Sequence, residues 1–172
     1  MVARRPSDHQ DGPGFFDEEE PRARPPVSRR RLIVEADGGS RGNPGPAAYG
    51  ALVRDAITGE TLAEEGWTIG RATNNVAEYS GLIAGLEMAR AIDPGAQVEI
   101  RMDSKLVIEQ MAGRWKIKHP DMRPLASRAN EIRPVEASWT WVPRALNKRA
   151  DALVNRALDG DPVRRPGSGT EA

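Results

Sequence analysis

The chain has 172 residues, 38% of them hydrophobic, which is enough for one domain with a substantial core and short tails. Its 25 Lys and Arg residues balance its 25 Asp and Glu residues, which excludes the overall basic field of a non-specific nucleic-acid binder. Cys is absent, which excludes disulfides, thiolate metal sites and cysteine catalysis. Because no long apolar run or signal peptide is visible, we expect a cytoplasmic protein that does not enter a membrane.

Both ends of the chain lack a periodic apolar face. Residues 1–30 mix Pro and Gly with runs of opposite charge, and residues 160–172 repeat that composition. We therefore predict two disordered tails around one domain at residues 31–159. The arginines at 29–31 could form a flexible nucleic-acid-binding arm, but a solvated tail neutralised by its own acidic run is the favoured interpretation.

The first half of the domain reads as strands followed by a helix. Three strands are predicted, at 32–34, 49–53 and 62–69. The turn residues at 55–59 make them an antiparallel meander. The apolar period then becomes helical, with Thr73 or Asn74 as the N-cap and a stop at 93–95.

The second half continues the alternation of strands and helices. A strand at 98–102, helices at 106–111 and 122–132, a strand at 139–142 and a closing helix at 150–158 are predicted.

Four acidic residues stand where these elements begin or end: Asp37, Glu78, Asp103 and Asp151. Ligands of open α/β sheets collect outside the carboxyl ends of the strands, so all four can converge there. Oxygen ligands of this kind hold Mg²⁺. Taken singly, each acid could instead be a turn former, a cap or a partner of a helix dipole. Taken together, they favour a metal-dependent phosphodiester-cleaving site.

Short motifs surround these acids. They are Asp-Gly-Gly-Ser-Arg-Gly-Asn-Pro-Gly from Asp37, Thr-Asn-Asn-x-x-Glu up to Glu78, Asp-Ser at Asp103 and Asn-x-x-Ala-Asp up to Asp151. With these motifs in this order, residues 31–159 resemble ribonuclease H type 1, the RNase HI family. The resemblance implies an α/β, RNase H-like fold with a five-stranded mixed sheet, the second strand antiparallel, flanked by helices. It also implies that the four acids are catalytic.

The resemblance implies an endonuclease, a hydrolase that cuts the RNA strand of RNA/DNA hybrids and leaves 5′-phosphate and 3′-OH ends. Hydrolysis of a phosphodiester needs a deprotonated water on one side of phosphorus and a stabilised leaving oxygen on the other, and two Mg²⁺ ions can serve both. We expect Asp37 and Asp103 to be the central ligands, with Glu78 and Asp151 each completing one shell, and Mn²⁺ able to substitute. Without metal, at least one carboxyl pKa should be raised. We expect a monomer without an organic cofactor.

Further residues are candidates for contact with the hybrid. Turn glycines allow a nucleic-acid strand to approach the backbone, whose amides can bond a 2′-hydroxyl. The resemblance makes the asparagines minor-groove readers and the threonine a phosphate contact on the DNA strand, although each could also be an ordinary turn or cap residue. These candidates are Gly38, Gly39, Asn43, Thr73, Asn74 and Asn75.

The stretch at 113–119 is basic and contains Trp115 and Lys116. It could grip the phosphates and sugars of the DNA strand, or it could be a solvated loop with Trp115 over the core edge; the two interpretations are evenly balanced. The chain passes quickly to Pro120, so the longer basic helical insertion of some relatives is missing.

Many relatives carry a histidine in the loop before the last acid, whereas this chain has Arg144, as other members do. Arg144 cannot be a general base, but it can neutralise phosphate charge; a plain surface arginine is the alternative. Three functions therefore stay open. They are a hybrid-specific ribonuclease, a broader nuclease that also cuts double-stranded RNA or RNA/DNA junctions, and a non-catalytic hybrid-binding module, which the four acids disfavour.

Overall fold

The computed structural model describes residues 28 and 30–168, which form one five-stranded sheet with helices on both faces. The strands are β1 (Arg31–Ser40), β2 (Gly45–Asp55), β3 (Thr61–Ala72), β4 (Gln97–Met102) and β5 (Ala137–Trp141). Their order is β3-β2-β1-β4-β5; β2 is antiparallel to β1 and β3, and β4 is parallel to β1 and β5. The predicted mixed sheet with an antiparallel second strand is confirmed.

The helices follow the predicted positions closely. They are α1 (Asn74–Ile92), α2 (Lys105–Met111), α3 (Arg123–Ile132) and α4 (Lys148–Leu158), with a short 3-10 helix, Arg144–Leu146, before α4. The Thr73 side chain accepts a hydrogen bond from the Val76 N–H and caps α1, as one of the two predicted caps. Ser104, and not Asp103, caps α2. The carboxylate of Asp103 is thereby left for another use.

The core lies between the sheet and α1, with α4 on the opposite face. Alternate residues of β2 point to the two faces: Val53 packs in the cluster that includes α1, and Leu52 packs against Leu153 of α4. A Cβ built on Gly50 of β2 would stand 2.3 Å from the Ala150 carbonyl oxygen. Glycine at this position therefore lets α4 rest directly on the strand.

The segment that follows α4 differs from the prediction. We expected tail from residue 160 onward, but residues 163–166 lie against β3. Val163 forms a two-hydrogen-bond bridge with Gly66, at 2.8 and 3.0 Å. The Arg164 guanidinium stands 4.4 Å from the centroid of the Trp67 ring. The rest of the predicted tails, residues 1–27, 29 and 169–172, lies outside the described residues.

The physical reason for this packing is a buried carboxylate on β3. Arg165 donates two hydrogen bonds of 2.7 Å to Glu65 and one of 2.8 Å to Glu87 of α1. The Tyr49 hydroxyl donates a further bond to Glu65. Since a charge taken out of water needs a partner, Arg165 holds the segment to the domain.

None of the helices formed by residues 28 and 30–168 is both long and apolar enough to span a membrane.

We predict that Arg165→Ala lowers the free energy of unfolding by about 2 kcal/mol, because it leaves the Glu65 carboxylate buried without its cation. Urea unfolding of the full chain measures this loss. The matched control is Arg156→Ala, which breaks the exposed pair with Asp161, 2.9 Å apart, and should cost much less. Equal losses in the two variants would mean that residues 161–168 do not stabilise the domain through Glu65. Adding Glu65→Gln to Arg165→Ala should recover part of the loss.

Candidate active site

The four acidic residues meet in one cleft at one end of the sheet. Asp37 lies on β1, Glu78 on α1, Asp103 directly after β4 and Asp151 on α4. All four line a cleft of about 310 Å³. The structure thus brings together carboxylates that are far apart in the sequence.

The strand ends explain why Asp37 and Asp103 are neighbours. β1 and β4 run parallel in adjacent positions, and their pairing extends to Glu35 opposite Arg101. Both chains then leave the shared ladder at the same edge of the sheet. Asp37 remains paired with β2, opposite Gly50, so its backbone is held by the sheet.

A close backbone contact brings Glu78 to the same edge. A Cβ built on Gly38 would stand 2.1 Å from the Ala77 carbonyl carbon, and one on Gly81 would stand 2.4 Å from the Asp37 carbonyl oxygen. Side chains at either glycine would force α1 away from β1. Glycine on both sides therefore sets the first turns of α1, which carry Glu78, directly against Asp37.

Protein donors hold three of the carboxylates at fixed angles. The Ser104 hydroxyl donates to Glu78 Oε2 at 2.7 Å, and the Ser104 Oγ itself accepts the Val107 N–H at the start of α2. The Gly38 N–H donates to Asp37 Oδ1 at 2.9 Å. The third carboxylate, that of Asp103, is held by Asn147.

Asn147 is a site residue to which the sequence analysis gave no role. It is 1% exposed, and its amide nitrogen donates to the Ala36 carbonyl at 2.9 Å and to Asp103 Oδ1 at 2.8 Å. It occupies the N-cap position of α4, yet its side chain makes no capping bond. Because such a bond is worth about 1 kcal/mol, the side chain forgoes stability to hold Asp103. The signal in the sequence was an Asn at a cap position four residues before Asp151.

Arg144 and Asn155 are the neighbours of Asp151 in the cleft. Arg144 Nη2 stands 3.9 Å from Asp151 Oδ1, and the Asn155 amide nitrogen stands 3.4 Å from Asp151 Oδ2. The Arg144 side chain is 83% exposed, so the ion pair contributes little to stability. The guanidinium is therefore free to take another partner at the mouth of the cleft.

The clustering changes the acidity of two carboxyl groups. Burial, followed by the charge of Asp103, raises the pKa of Asp37 to about 8; Asp151 and Glu78 add to the rise and the Gly38 hydrogen bond opposes it. Burial also raises the pKa of Glu78 to about 6, which the Ser104 hydrogen bond opposes and Asp103 reinforces. The expectation of a raised carboxyl pKa is confirmed. The cleft concentrates more negative charge than its surroundings neutralise.

Within residues 28 and 30–168, no set of three or more carboxylate or imidazole side chains is arranged to ligate a single ion. Each of the four acids instead has a hydrogen-bond donor of the protein beside it. Any ion in this cleft would therefore take most of its ligand oxygens from groups other than these four side chains.

The candidate hybrid contacts divide into two groups. Gly38, Gly39 and Asn74 line the cleft with the acids. Asn74 Oδ1 accepts the Ser40 N–H at 2.9 Å, and the Asn74 N–H donates to Asn43 Oδ1 at 3.1 Å. These two bonds tie the glycine-rich loop, residues 38–45, to α1.

The remaining candidates lie outside the lining of the cleft. The Thr73 hydroxyl oxygen caps α1, and Asn75 is half-buried in its first turn. Trp115 is 45% exposed, which leaves its ring available to a ligand. The backbone N–H of Trp115 donates to the Glu109 carbonyl, and the Gln110 side chain donates to the Lys116 carbonyl at 3.3 Å. The loop that carries Trp115 and Lys116 is therefore anchored to α2.

Comparison with known proteins agrees with this arrangement. Residues 35–157 match the family described as reverse transcriptase-like. The ribonuclease HI of Halobacterium salinarum is 52% identical over 132 residues, which cover 75% of this chain and 65% of that protein. The crystal structure of RNase H1 from Halobacterium salinarum superposes with a TM-score of 0.70 at 50% identity, over 76% of this chain and 98% of that one. This chain belongs to the ribonuclease H family.

Two further members of the ribonuclease H family are similar. The bifunctional protein Rv2228c of Mycobacterium tuberculosis is 54% identical over 132 residues, 75% of this chain and 36% of that protein. The structure of its N-terminal RNase H domain has a TM-score of 0.71 at 53% identity and covers 77% of this chain and 96% of that one. LC11-RNase H1, solved with an RNA/DNA hybrid, has a TM-score of 0.71 at 41% identity, over 75% and 97% of the two chains. The match spans about a third of the length of Rv2228c and about two thirds of the length of the Halobacterium salinarum protein.

We predict that Asp37→Asn stabilises the metal-free protein at pH 8 and much less at pH 5. Because folding raises the pKa of Asp37 from 3.8 to about 8, the folded state of the natural protein loses stability as the pH rises through this window. The variant has no such loss. At pH 8 the gain should be at least about 1 kcal/mol, or about 2–4 °C in Tm.

Thermal unfolding in EDTA at the two pH values measures this difference. Asp121→Asn, at a carboxylate that is 69% exposed, is the matched control and should show no such dependence. A gain from Asp37→Asn that is the same at pH 5 and pH 8 would contradict the burial of a charged Asp37.

Proposed function

We propose that this protein is a metal-dependent endoribonuclease that hydrolyses the RNA strand of RNA/DNA hybrids. The observation that carries the proposal is the convergence of Asp37, Glu78, Asp103 and Asp151 on one cleft in a member of the ribonuclease H family. The ribonuclease HI named in Halobacterium salinarum and the hybrid bound to LC11-RNase H1 support the same substrate class. The products would carry 5′-phosphate and 3′-OH ends.

The donor set of the cleft fits hard divalent cations. All four acids offer oxygen ligands. Burial, and after it the negative charge of Asp103, raises the pKa of Asp37, and a cation would neutralise that charge. Mg²⁺ keeps several waters and is held by one or two carboxylates, which agrees with acids that stand apart. Asp37, Glu78, Asp103 and Asp151 would together hold two Mg²⁺ ions, with Mn²⁺ able to substitute and with waters and phosphate oxygens completing each shell.

When bound, the ions supply an activated water and stabilise the departing oxygen. The chain's own contribution is to hold the carboxylates in place before substrate arrives. Ser104 occupies one oxygen of Glu78 and Asn147 occupies one oxygen of Asp103, so the other oxygen of each carboxylate stays available. Partners that orient ligands in this way reduce the reorganisation needed at the moment of reaction.

The hybrid would lie across the glycine-rich loop and the start of α1. Gly38 and Gly39 allow a strand to approach the backbone, where amides can recognise the 2′-hydroxyls. Asn43, Asn74 and Asn75 would read the minor groove, and the hydrogen bond from the Asn74 backbone N–H to Asn43 Oδ1 supports a fixed position for Asn43 beside α1. This surface would discriminate RNA from DNA in the strand that is cut.

The DNA strand of the hybrid would contact residues that lie outside the lining of the cleft. Thr73 would meet a phosphate beside the start of α1, and Trp115 with Lys116 would meet the sugars and phosphates further out. The exposure of Trp115 and the anchoring of its loop to α2 support this assignment.

The test is cleavage of end-labelled RNA/DNA hybrid, double-stranded RNA and single-stranded RNA with Mg²⁺ or EDTA. We expect metal-dependent cutting of the hybrid, with Asp103→Asn reducing the rate by about 10³-fold or more, as the loss of a group acting on the transition state does. Asp121→Asn, an exposed carboxylate outside the cleft, is the matched control and should retain full activity.

Two other outcomes would replace the proposal. The chain passes from α2 to α3 without an additional helix, which favours a broader nuclease because less basic surface is dedicated to the hybrid. Equal cutting of double-stranded RNA would establish that function. Binding of the hybrid without cleavage in any metal would instead establish a binding module.

We propose that this chain belongs to the subgroup that lacks the loop histidine, and that Arg144 neutralises charge on the reacting phosphate. Arg144→Ala should lower kcat by about 10–100-fold, since one charge-stabilising donor is lost. Arg144→Lys should recover part of the rate because the charge is kept.

The pH dependence of kcat separates arginine from histidine chemistry. We expect no limb that depends on a histidine in the profile of the natural protein, because arginine does not titrate in this range. His119→Ala, at a side chain that is 60% exposed and outside the cleft, should leave the profile unchanged. A limb near pH 6.5 that disappears in this variant would contradict the role of Arg144.

A further inference from the structure

Arg41 lines the cleft, but the proposed catalysis gives it no role. It follows β1 in the glycine-rich loop, and it lines the cleft with the four acids. Its Nη2 stands 2.6 Å from Asp159 Oδ1 and its Nη1 stands 3.5 Å from the Leu158 carbonyl oxygen. The side chain therefore crosses from the loop to the C-terminal end of α4.

Charge balance requires cations in this cleft. Four carboxylates repel the phosphates of a nucleic acid, so binding needs positive groups nearby. The cations that line the cleft in the described part of the chain are Arg41 and Arg144. Arg144 stands beside Asp151 near the start of α4, whereas Arg41 stands at its opposite end. The two arginines thus bracket the acids.

The present partner of Arg41 is easily exchanged. The side chains of Arg41 and Asp159 are 51% and 63% exposed, and exposed pairs of this kind contribute little to stability. The backbone beneath Arg41 is fixed, because its N–H donates to the Pro46 carbonyl at 2.8 Å. A phosphate offers the guanidinium two oxygens and a full charge in place of one carboxylate oxygen.

We propose that Arg41 binds a backbone phosphate of the cleaved strand, and that Asp159 holds its guanidinium until substrate displaces it. This inference rests on the proposed function, because it takes the ligand to be a nucleic acid in this cleft. From Asp151 to Leu158, α4 extends about 10 Å. Arg41 would therefore meet a phosphate other than the reacting one, further along the cleaved strand.

The two members of the pair should have opposite effects. Arg41→Ala should raise the KM for RNA/DNA hybrid by about 3–10-fold, leave kcat within about twofold, and reduce the slope of log Kd against log salt by about 1. Asp159→Asn should lower KM by about 2–3-fold, because it frees the guanidinium. In the double variant the gain from Asp159→Asn should shrink, since the residue acts through Arg41.

A second arginine–aspartate pair at the same end of α4 provides matched controls. Arg156 and Asp161 are 2.9 Å apart and similarly exposed, and neither lines the cleft. Arg156→Ala and Asp161→Asn remove the same charges from the same region, so they report any general effect of charge. All four single variants should melt within about 2 °C of the natural protein.

Cleavage with Mg²⁺ and equilibrium binding of a fluorescent hybrid in EDTA are measured in parallel. The inference is overturned if Asp159→Asn weakens binding, if Arg41→Ala and Arg156→Ala weaken it equally, or if the natural protein does not bind the hybrid. If the natural protein binds without cutting, the proposed catalysis fails, and the order of Kd values among the variants still decides the role of Arg41. If the natural protein cuts the hybrid and Arg41→Ala binds the hybrid as tightly as the natural protein does, the proposed catalysis stands and only the role of Arg41 is overturned.

Discussion

The site depends on helices that touch the central strands at backbone distance. Gly38 and Gly81 let α1 lie against β1, and Gly50 lets α4 lie against β2 on the opposite face. Only at this separation can acids from a strand, a strand end and two helices share one cleft. A methyl group at any of these glycines would displace a helix, and with it one of the carboxylates. The fold's tolerance for substitution is therefore lowest at residues that carry no functional group.

Gathering the acids creates a charge problem that the surrounding residues solve only in part. Ser104 and Asn147 each give a hydrogen bond to a carboxylate, and Asn147 does so instead of capping α4. Asp37 nevertheless keeps a raised pKa, because burial and three neighbouring acids outweigh the donor from Gly38. The cleft thus holds carboxylates whose charge its own residues stabilise only in part, which agrees with the proposal that it binds a divalent cation. This is the expected pattern when a site is selected for binding and not for the stability of the empty protein.

Local signals made most of the fold and the core of the site predictable. Thr73 before a helical period marked the start of α1, and acids after two buried strands pointed to a common edge. The contacts that escaped prediction join residues far apart in the chain. Glu65 and Arg165 are separated by 100 positions, and neither has a sequence signature that identifies the other. Asn147 was read as part of a motif, but the direction of its side chain follows from tertiary packing alone.

The balanced composition of the chain, with 25 basic and 25 acidic residues, hides a local arrangement of charge. The four acids gather negative charge in the cleft, whereas Arg41 and Arg144, which also line it, bring positive charge from the chain itself. If the two arginines bind phosphate as proposed, this part of the attraction would not vary with pH, because a guanidinium keeps its charge. Burial raises the pKa of Asp37 to about 8 and that of Glu78 to about 6, so the charge of these two acids would change with pH near neutrality. In the proposed function, metal binding and phosphate binding would thus depend on different residues within one cleft.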